Sequence, residues 1–204
     1  ATQSVVLGQI ELNTLGAAIT AQNFGIEQLP FATAATLASQ VNPGGTNSVS
    51  ITSAFAGTDA DGSVVQIHIT SFPSNATSIT IGGTTYTSGT FPANGVTVNV
   101  GTSVSINPVD GSVTCVVPFK TIDNAGKEST ASANVTVPFT DLTISGTFYD
   151  DANGLTDNTV NGTATNVSNQ MYMTLVSAGN ILAVTPVASN GTYSFGTANG
   201  VQIN

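Results

Sequence analysis

The stretch VTVPFTDLTISGTFYDDANGLTD, residues 135–157, decides how the chain divides. Val135, Val137 and Phe139 alternate with polar residues, and in a strand successive side chains point to opposite faces, so the three share one buried face. Thr140 and Asp141 interrupt the pattern, which restarts at Leu142, Ile144, Gly146 and Phe148. The densest acidic cluster of the chain follows: Asp150, Asp151, Asn153 and Asp157. This reads as two β modules meeting at a two-residue joint, with a candidate cation loop beside it.

Composition supports that reading. The chain has 204 residues, of which 40% are hydrophobic, enough to build a core. Only 6% are charged, and Thr, Ser, Asn, Gly, Val and Ala make up the bulk. β-Branched residues fit a pleat and Gly, Asn and Asp supply turns, so the expected class is all-β. Two lysines, Lys120 and Lys127, face eleven acidic residues, for a net charge of −9. With no basic patch the chain cannot neutralise phosphates, which argues against nucleic acid as a partner and against anionic membrane surfaces. No apolar run reaches transmembrane length, and no membrane insertion is expected. An acidic surface rich in amides and hydroxyls suits a secreted, cell-surface protein bathed in divalent cations.

From Asn47 to Thr140, short alternating runs recur with turns every 8–12 residues, the pattern of a β-sandwich. Val49, Ile51, Ser53 and Phe55 fall on one face, as do Val65, Ile67 and Ile69. Gly82-Gly83 signals a hairpin. Cys115, the single cysteine, shares a face with Val113, Val117 and Phe119 and reads as a core thiol. Residues 30–46 lack sustained alternation, and Pro30, Pro43, Gly44 and Gly45 punctuate them, so they read as a linker lying along the following module. Residues 1–29 hold two apolar runs, Val5–Leu12 and Ala17–Ile26, read as two strands that need partners from elsewhere. Residues 141–204 show four strands, the last ending without a partner.

The loop from Asp151 to Asp157 spaces oxygen ligands at alternate positions, with the Leu155 carbonyl between side chains, so Asp150, Asp151, Asn153, Leu155 and Asp157 form the first candidate calcium set. It is not an EF-hand: Thr156 stands at the sixth position and Gly162 at the twelfth. Asp59 and Asp61 in TDADGS, with Asp123 in IDNAGKE, form a second, weaker set at turns that adjacent modules can pool. An Asx-rich turn is the plainer reading of each. His68 lies on the face opposite Ile67 and Ile69, and one histidine with one cysteine makes no zinc site. There is no Gly-x-Ser-x-Gly elbow and no phosphate-loop lysine, so no enzyme activity is expected.

Two segments carry a family likeness. LTISGTFYDDANGLTDN, with MYMTLVSAGNILAVTPVASNGTYSF downstream, resembles the opening of an SdrD B-like module, a prealbumin-like sandwich related to the collagen-adhesin B-type repeats. Gly146, Phe148, Asp151, Asn153, Gly154, Asp157, Gly191, Tyr193 and Phe195 carry the match. The segment from DADGSVVQIHIT to VDGSVTCVVPFKTIDNAGKES is similar to Ig/cadherin-like repeats of giant Bacteroidota surface proteins, the gliding-motility adhesin type among them. NFGIEQ, residues 23–28, resembles the closing strand of a B-type module. The resemblance implies four divisions: 1–29, the C-terminal strands of one B-type module; 30–46, a linker; 47–140, an Ig/cadherin-like sandwich; and 141–204, the N-terminal part of the next B-type module. It implies a structural or adhesive repeat whose partners are neighbouring repeats of the same polypeptide or identical subunits, the chain being about one repeat unit cut within a module; a separate alternative is a self-assembling fibre subunit, with residues 1–29 of one copy completing 141–204 of another in donor-strand fashion. Another alternative is a module that binds extracellular glycans or surfaces, against which stands an aromatic content of 6% with no tryptophan.

Overall fold

The structure, a computed structural model, describes residues 26–154 and 156–203. The two strands expected within residues 1–29 therefore lie almost wholly outside the described residues. The described chain is all-β apart from two short 3-10 turns, in agreement with the composition.

Twelve strands build the first module: β1 (Phe31–Thr33), β2 (Ala35–Thr36), β3 (Gln40–Val41), β4 (Val49–Ser50), β5 (Ala56–Thr58), β6 (Val64–Ile69), β7 (Ala76–Ile81), β8 (Thr84–Tyr86), β9 (Val96–Asn99), β10 (Val104–Pro108), β11 (Val113–Asp123) and β12 (Ala133–Thr140). One sheet runs β4-β10-β7-β8 and the facing sheet β2-β12-β11-β6-β9, with β3 also on β12. A core of Ile79, Ile81, Val104 and Ile106 from the first sheet, and Cys115, Val117, Phe119, Val135 and Val137 from the second, lies between them. Phe55 meets Phe119 edge to face, ring centroids 5.1 Å apart.

The longest strand shows why. β11 alternates from Cys115 to Asp123 without a break, so Cys115, Val117, Phe119, Thr121 and Asp123 are all buried. Cys115 is shut off from solvent, its thiol reaches the Asn75 carbonyl at 3.2 Å, and burial pushes its pKa to about 11. Gly82 and Gly83, at φ +57° and +87°, make the tight turn that pairs Ile81 with Thr84.

Three expectations change. Residues 30–46 are not a bare linker: β1 pairs antiparallel with β5, and β2 and β3 pair in parallel with β12, closing the sandwich edge. Their strands are two or three residues long, too short to show alternation. Ser53 does not share the buried face, because a 3-10 turn over Thr52–Ala54 breaks the alternation and turns Ala54 inward instead. Val65, at the start of β6, remains 40% exposed beside buried Ile67 and Ile69.

The second module has six strands: β13 (Ile144–Thr147), β14 (Tyr149–Asp150), β15 (Thr163–Ala164), β16 (Tyr172–Ser177), β17 (Asn180–Pro186) and β18 (Thr192–Phe195). They pair two by two, β13 with β18, β14 with β15 and β16 with β17. The last strand thus has a partner, the module's first, with Ile144 opposite Phe195 and Gly146 opposite Tyr193. A side chain at Gly146 would strike the Tyr193 ring, which explains that glycine. Among the described residues of this module, only Val187, Phe195 and Val201 are buried and apolar.

Candidate functional site

The joint between the modules is tighter than its two-residue length suggests. β12 ends at Thr140, and the Asp141 backbone N–H donates to Ser112 Oγ at 3.0 Å. Asp141 Oδ1 accepts from both the backbone N–H and the hydroxyl of Thr197, at 2.9 and 2.7 Å. The same Thr197 hydroxyl accepts from the Gly111 N–H at 2.6 Å, so one side chain, 1% exposed, links both modules. A 3-10 turn over Thr197–Asn199 delivers it, ending at Gly200 with φ +88°. The chain then runs back along the first module, where Asn47 Nδ2 donates to the Ile203 carbonyl and the Ile203 N–H to the Pro43 carbonyl, each at 2.9 Å. Beneath them lies fully buried Asn42, which donates to the Val109 and Gly111 carbonyls and accepts from the Gly44 N–H. Sequence reasoning missed this set, because Asp141 and Thr197 are 56 residues apart.

The DDANGLTD loop lies elsewhere. β13 leaves the joint at Ile144 and the chain continues through β14, so two strands stand between Asp141 and Asp151 along the chain. Asp150 sits in β14 opposite Thr163, exposed. Asp151 accepts from the Asn161 and Asn153 N–H groups, and Asp157 from the Thr159 N–H, the pattern of Asx turns. The Leu155 carbonyl lies outside the described residues.

The second acidic set is more concentrated than the sequence shows. The turn after β5 carries Asp59 and Asp61, the end of β11 carries Asp123, and the segment before β1 adds Glu27. Asp61 Oδ2 accepts from the Gln28 N–H at 2.9 Å, which ties that segment to the turn. Asp123 is 1% exposed; its Oδ1 accepts from the Ala125 and Lys127 N–H groups at 2.9 and 2.8 Å, while its Oδ2 has no partner. Both Asp59 carboxylate oxygens are shut off from solvent without a hydrogen bond of normal geometry. A side chain at Gly62 would strike Asn124 Oδ1 and Asp59 Oδ2, so those side chains would have to shift to admit it.

The electrostatics follow from this crowding. Partial burial, then the charges of Asp61 and Asp123 and the close Asp61 carboxyl, raise the Asp59 pKa above its ordinary value, against one Asp61 backbone N–H that lowers it. Glu27 is raised too, by partial burial first and then by Asp61, Asp123 and Asp59. No cation relieves them: the ion pairs seen among the described residues both belong to Glu128, whose carboxylate faces His68 Nδ1 and, at 2.9 Å, Lys120 Nζ. Partial burial pushes Glu128 up, but hydrogen bonds and charge from His68 and Lys120 outweigh it and hold it below its ordinary value. The carboxylates around Asp59 are gathered and not closed: among the described residues, no three His, Cys, Asp or Glu side chains converge as a finished metal-holding group.

No family model matches the chain. No curated protein matches it either. Among solved structures it is similar to BcpA, the major pilin subunit of Bacillus cereus, at 13% identity and a TM-score of 0.28. That similarity covers 67% of this chain and 45% of the pilin, so the chain spans less than half the pilin's length. At that score the superposition carries no weight for fold or function.

Proposed function

We propose that the chain is a non-enzymatic structural and adhesive segment of a secreted, cell-surface filament, whose work is to extend and hold direction. The observation that carries this reading is the joint. Thr197 bonds Asp141 on one side and Gly111 on the other, and residues 197–203 lie along the loops of the first module. Buried polar groups with all partners present fix one geometry, because any rotation leaves them unsatisfied. Two β modules joined this way transmit direction, as an extending repeat must. The likeness of both segments to repeats of giant surface adhesins, the gliding-motility type among them, supports the same role.

Small-angle scattering on the chain tests it. A single elongated particle of constant dimensions is expected, with Thr197→Val broadening the distribution. Scattering from the unaltered chain that requires a freely hinged pair of modules would end the proposal.

A second reading is favoured by one observation. The β16–β17 hairpin exposes Tyr172 (61%), Ile181 (67%), Val184 (52%) and Val176 (54%), which leaves a sheet face uncovered. Residues 1–29 of an identical subunit or of a neighbouring repeat, with their apolar runs Val5–Leu12 and Ala17–Ile26, would complete that module by adding strands. Deleting residues 1–29 then abolishes concentration-dependent association. Association that survives the deletion rules this reading out.

A further inference from the structure

We propose that Glu27, Asp59, Asp61 and Asp123 form a calcium site at the pole of the first module opposite the Asp141 joint. This deepens the direction-holding role proposed above, since the site ties the segment that enters the module to the module itself.

Four carboxylates come from three separate stretches of chain. Glu27 precedes β1, Asp59 and Asp61 lie in the turn that follows β5, and Asp123 ends β11. Strand parity explains why Asp123 is there: it is the last inward position of an alternation that is otherwise apolar or hydroxyl-bearing. An aspartate at an inward position, 1% exposed, must be compensated. Half of it is: Oδ1 holds two backbone N–H groups of the turn. Oδ2 holds nothing, and the Asp59 oxygens have only the Asp61 backbone N–H beside them, short of normal hydrogen-bond geometry. Three carboxylate oxygens shut off from solvent without a hydrogen bond of normal geometry, close enough to Asp61 and Glu27 to feel their charge, leave negative charge that no described lysine or histidine answers.

Every unanswered atom here is a hard oxygen acceptor, which selects a hard cation. Calcium takes six to eight oxygens in a flexible geometry, with carboxylates, carbonyls and water mixed, whereas magnesium demands a near-ideal octahedron and keeps several of its waters. Turn carboxylates that are gathered but still open fit calcium: the ion draws Asp59 and the bare Asp123 oxygen together, and Asp61 and Glu27 close from the exposed side. Gly62 leaves the space for that closure, since a side chain there would fill it. Because Asp61 already holds the Gln28 N–H, ion binding also fixes the path of the chain entering β1. The Asp151–Asp157 loop lacks these signs. Asp151 and Asp157 accept backbone N–H groups of their own loop.

The test is isothermal titration of the metal-stripped 204-residue chain with calcium alone and with magnesium alone. Three variants are compared: Asp59→Asn, Asp123→Asn and, in the other loop, Asp157→Asn. Asp123→Asn keeps an oxygen for the Ala125 and Lys127 N–H groups, so it is expected to fold. One calcium per chain is expected, tighter than magnesium, with affinity falling about tenfold or more in Asp59→Asn and Asp123→Asn and unchanged in Asp157→Asn. Without metal, Asp59→Asn melts at or above the unaltered chain, because it removes repulsion; an ordinary structural aspartate would give a lower melting temperature. No calcium binding by the unaltered chain overturns the proposal. So does binding that Asp157→Asn abolishes while Asp59→Asn leaves it intact. The joint reading stands or falls separately, on scattering from the Thr197 variant.

Discussion

The two modules contain similar kinds of residues and end in different states. In the first, the inward positions of β6, β7, β11 and β12 meet the opposing sheet apart from Val65 and Thr77 near the strand starts, and Ile69, Ile79, Val117, Phe119, Val135 and Val137 have no exposure at all. In the second, three of the described apolar residues are buried, and most of the exposed large apolar side chains among the described residues lie between Ile144 and Ile203. The difference is one of layers. A hairpin or strand pair has two faces, and a face is buried only where a second sheet covers it. The first module supplies both sheets from its own chain, including the short β1 to β3 that seal its edge. The second supplies three separate strand pairs, and its best-packed part is the end that touches the first module, where Phe195, Thr197 and Val201 are buried.

The largest effect expected from this contrast is on the cores. Phe119→Ala removes a ring with no exposure that meets Phe55 edge to face, and should cost about 3–5 kcal/mol by chemical denaturation. Phe195→Ala, in the thinly covered module, should cost less and should leave the first module's transition in place. Equal losses in one shared transition would show that the second module is as closed as the first.

Next in size is the bridge. Thr197→Val keeps the shape and removes the hydroxyl, which strands the Gly111 N–H and takes one of two donors from Asp141. A loss of about 1–3 kcal/mol is expected, with faster hydrogen exchange at Gly111. Exchange that rises only within residues 144–195 would place the coupling elsewhere.

Acid separates the two poles by sign. Glu128 has a lowered pKa, so its contribution is present above the unfolded carboxylate value and is lost as pH falls through the lower folded value. Asp59 and Glu27 are raised, so the folded chain holds their protons more tightly than the unfolded chain does. Their contribution has the opposite sign: stability falls as pH rises from the ordinary carboxylate value through their raised one. In metal-free buffer, melting temperature against pH should show both limbs, and Asp59→Asn should flatten the limb above the ordinary carboxylate range. Saturating calcium should flatten it too, since the ion holds the carboxylates ionised.

How much of this was legible in sequence depends on distance along the chain. Alternation is local, so the buried faces of β11 and β12, the Gly82-Gly83 turn and the core place of Cys115 could all be read directly. The pairing of 30–46 could not, because strands of two or three residues carry no period. Asp123 reads as a turn residue within IDNAGKE, although counting by twos from Cys115 already puts it inward. Glu27 had no signal: it lies 32 residues before Asp59 and 96 before Asp123, and only the fold brings them together. The joint failed for the same reason. The acidic loop nearest to it in sequence drew attention, and the residue that forms it, Asp141, was counted as part of a two-residue break.

The smallest expected effect probes the uncovered face most directly. Ile181 is 67% exposed on β17, opposite Val176. Replacing an exposed apolar residue that touches nothing usually changes stability by less than about 0.5 kcal/mol. Ile181→Ser in the dilute chain should therefore be close to neutral by thermal melting. At high concentration the same substitution should weaken association, if residues 1–29 of another copy lie on that face, because it removes apolar area from the strand-addition surface. A stability loss as large as that of a core residue, in dilute solution, would mean that the chain covers this face itself. The contrast between a closed and an open module would then be wrong at its root.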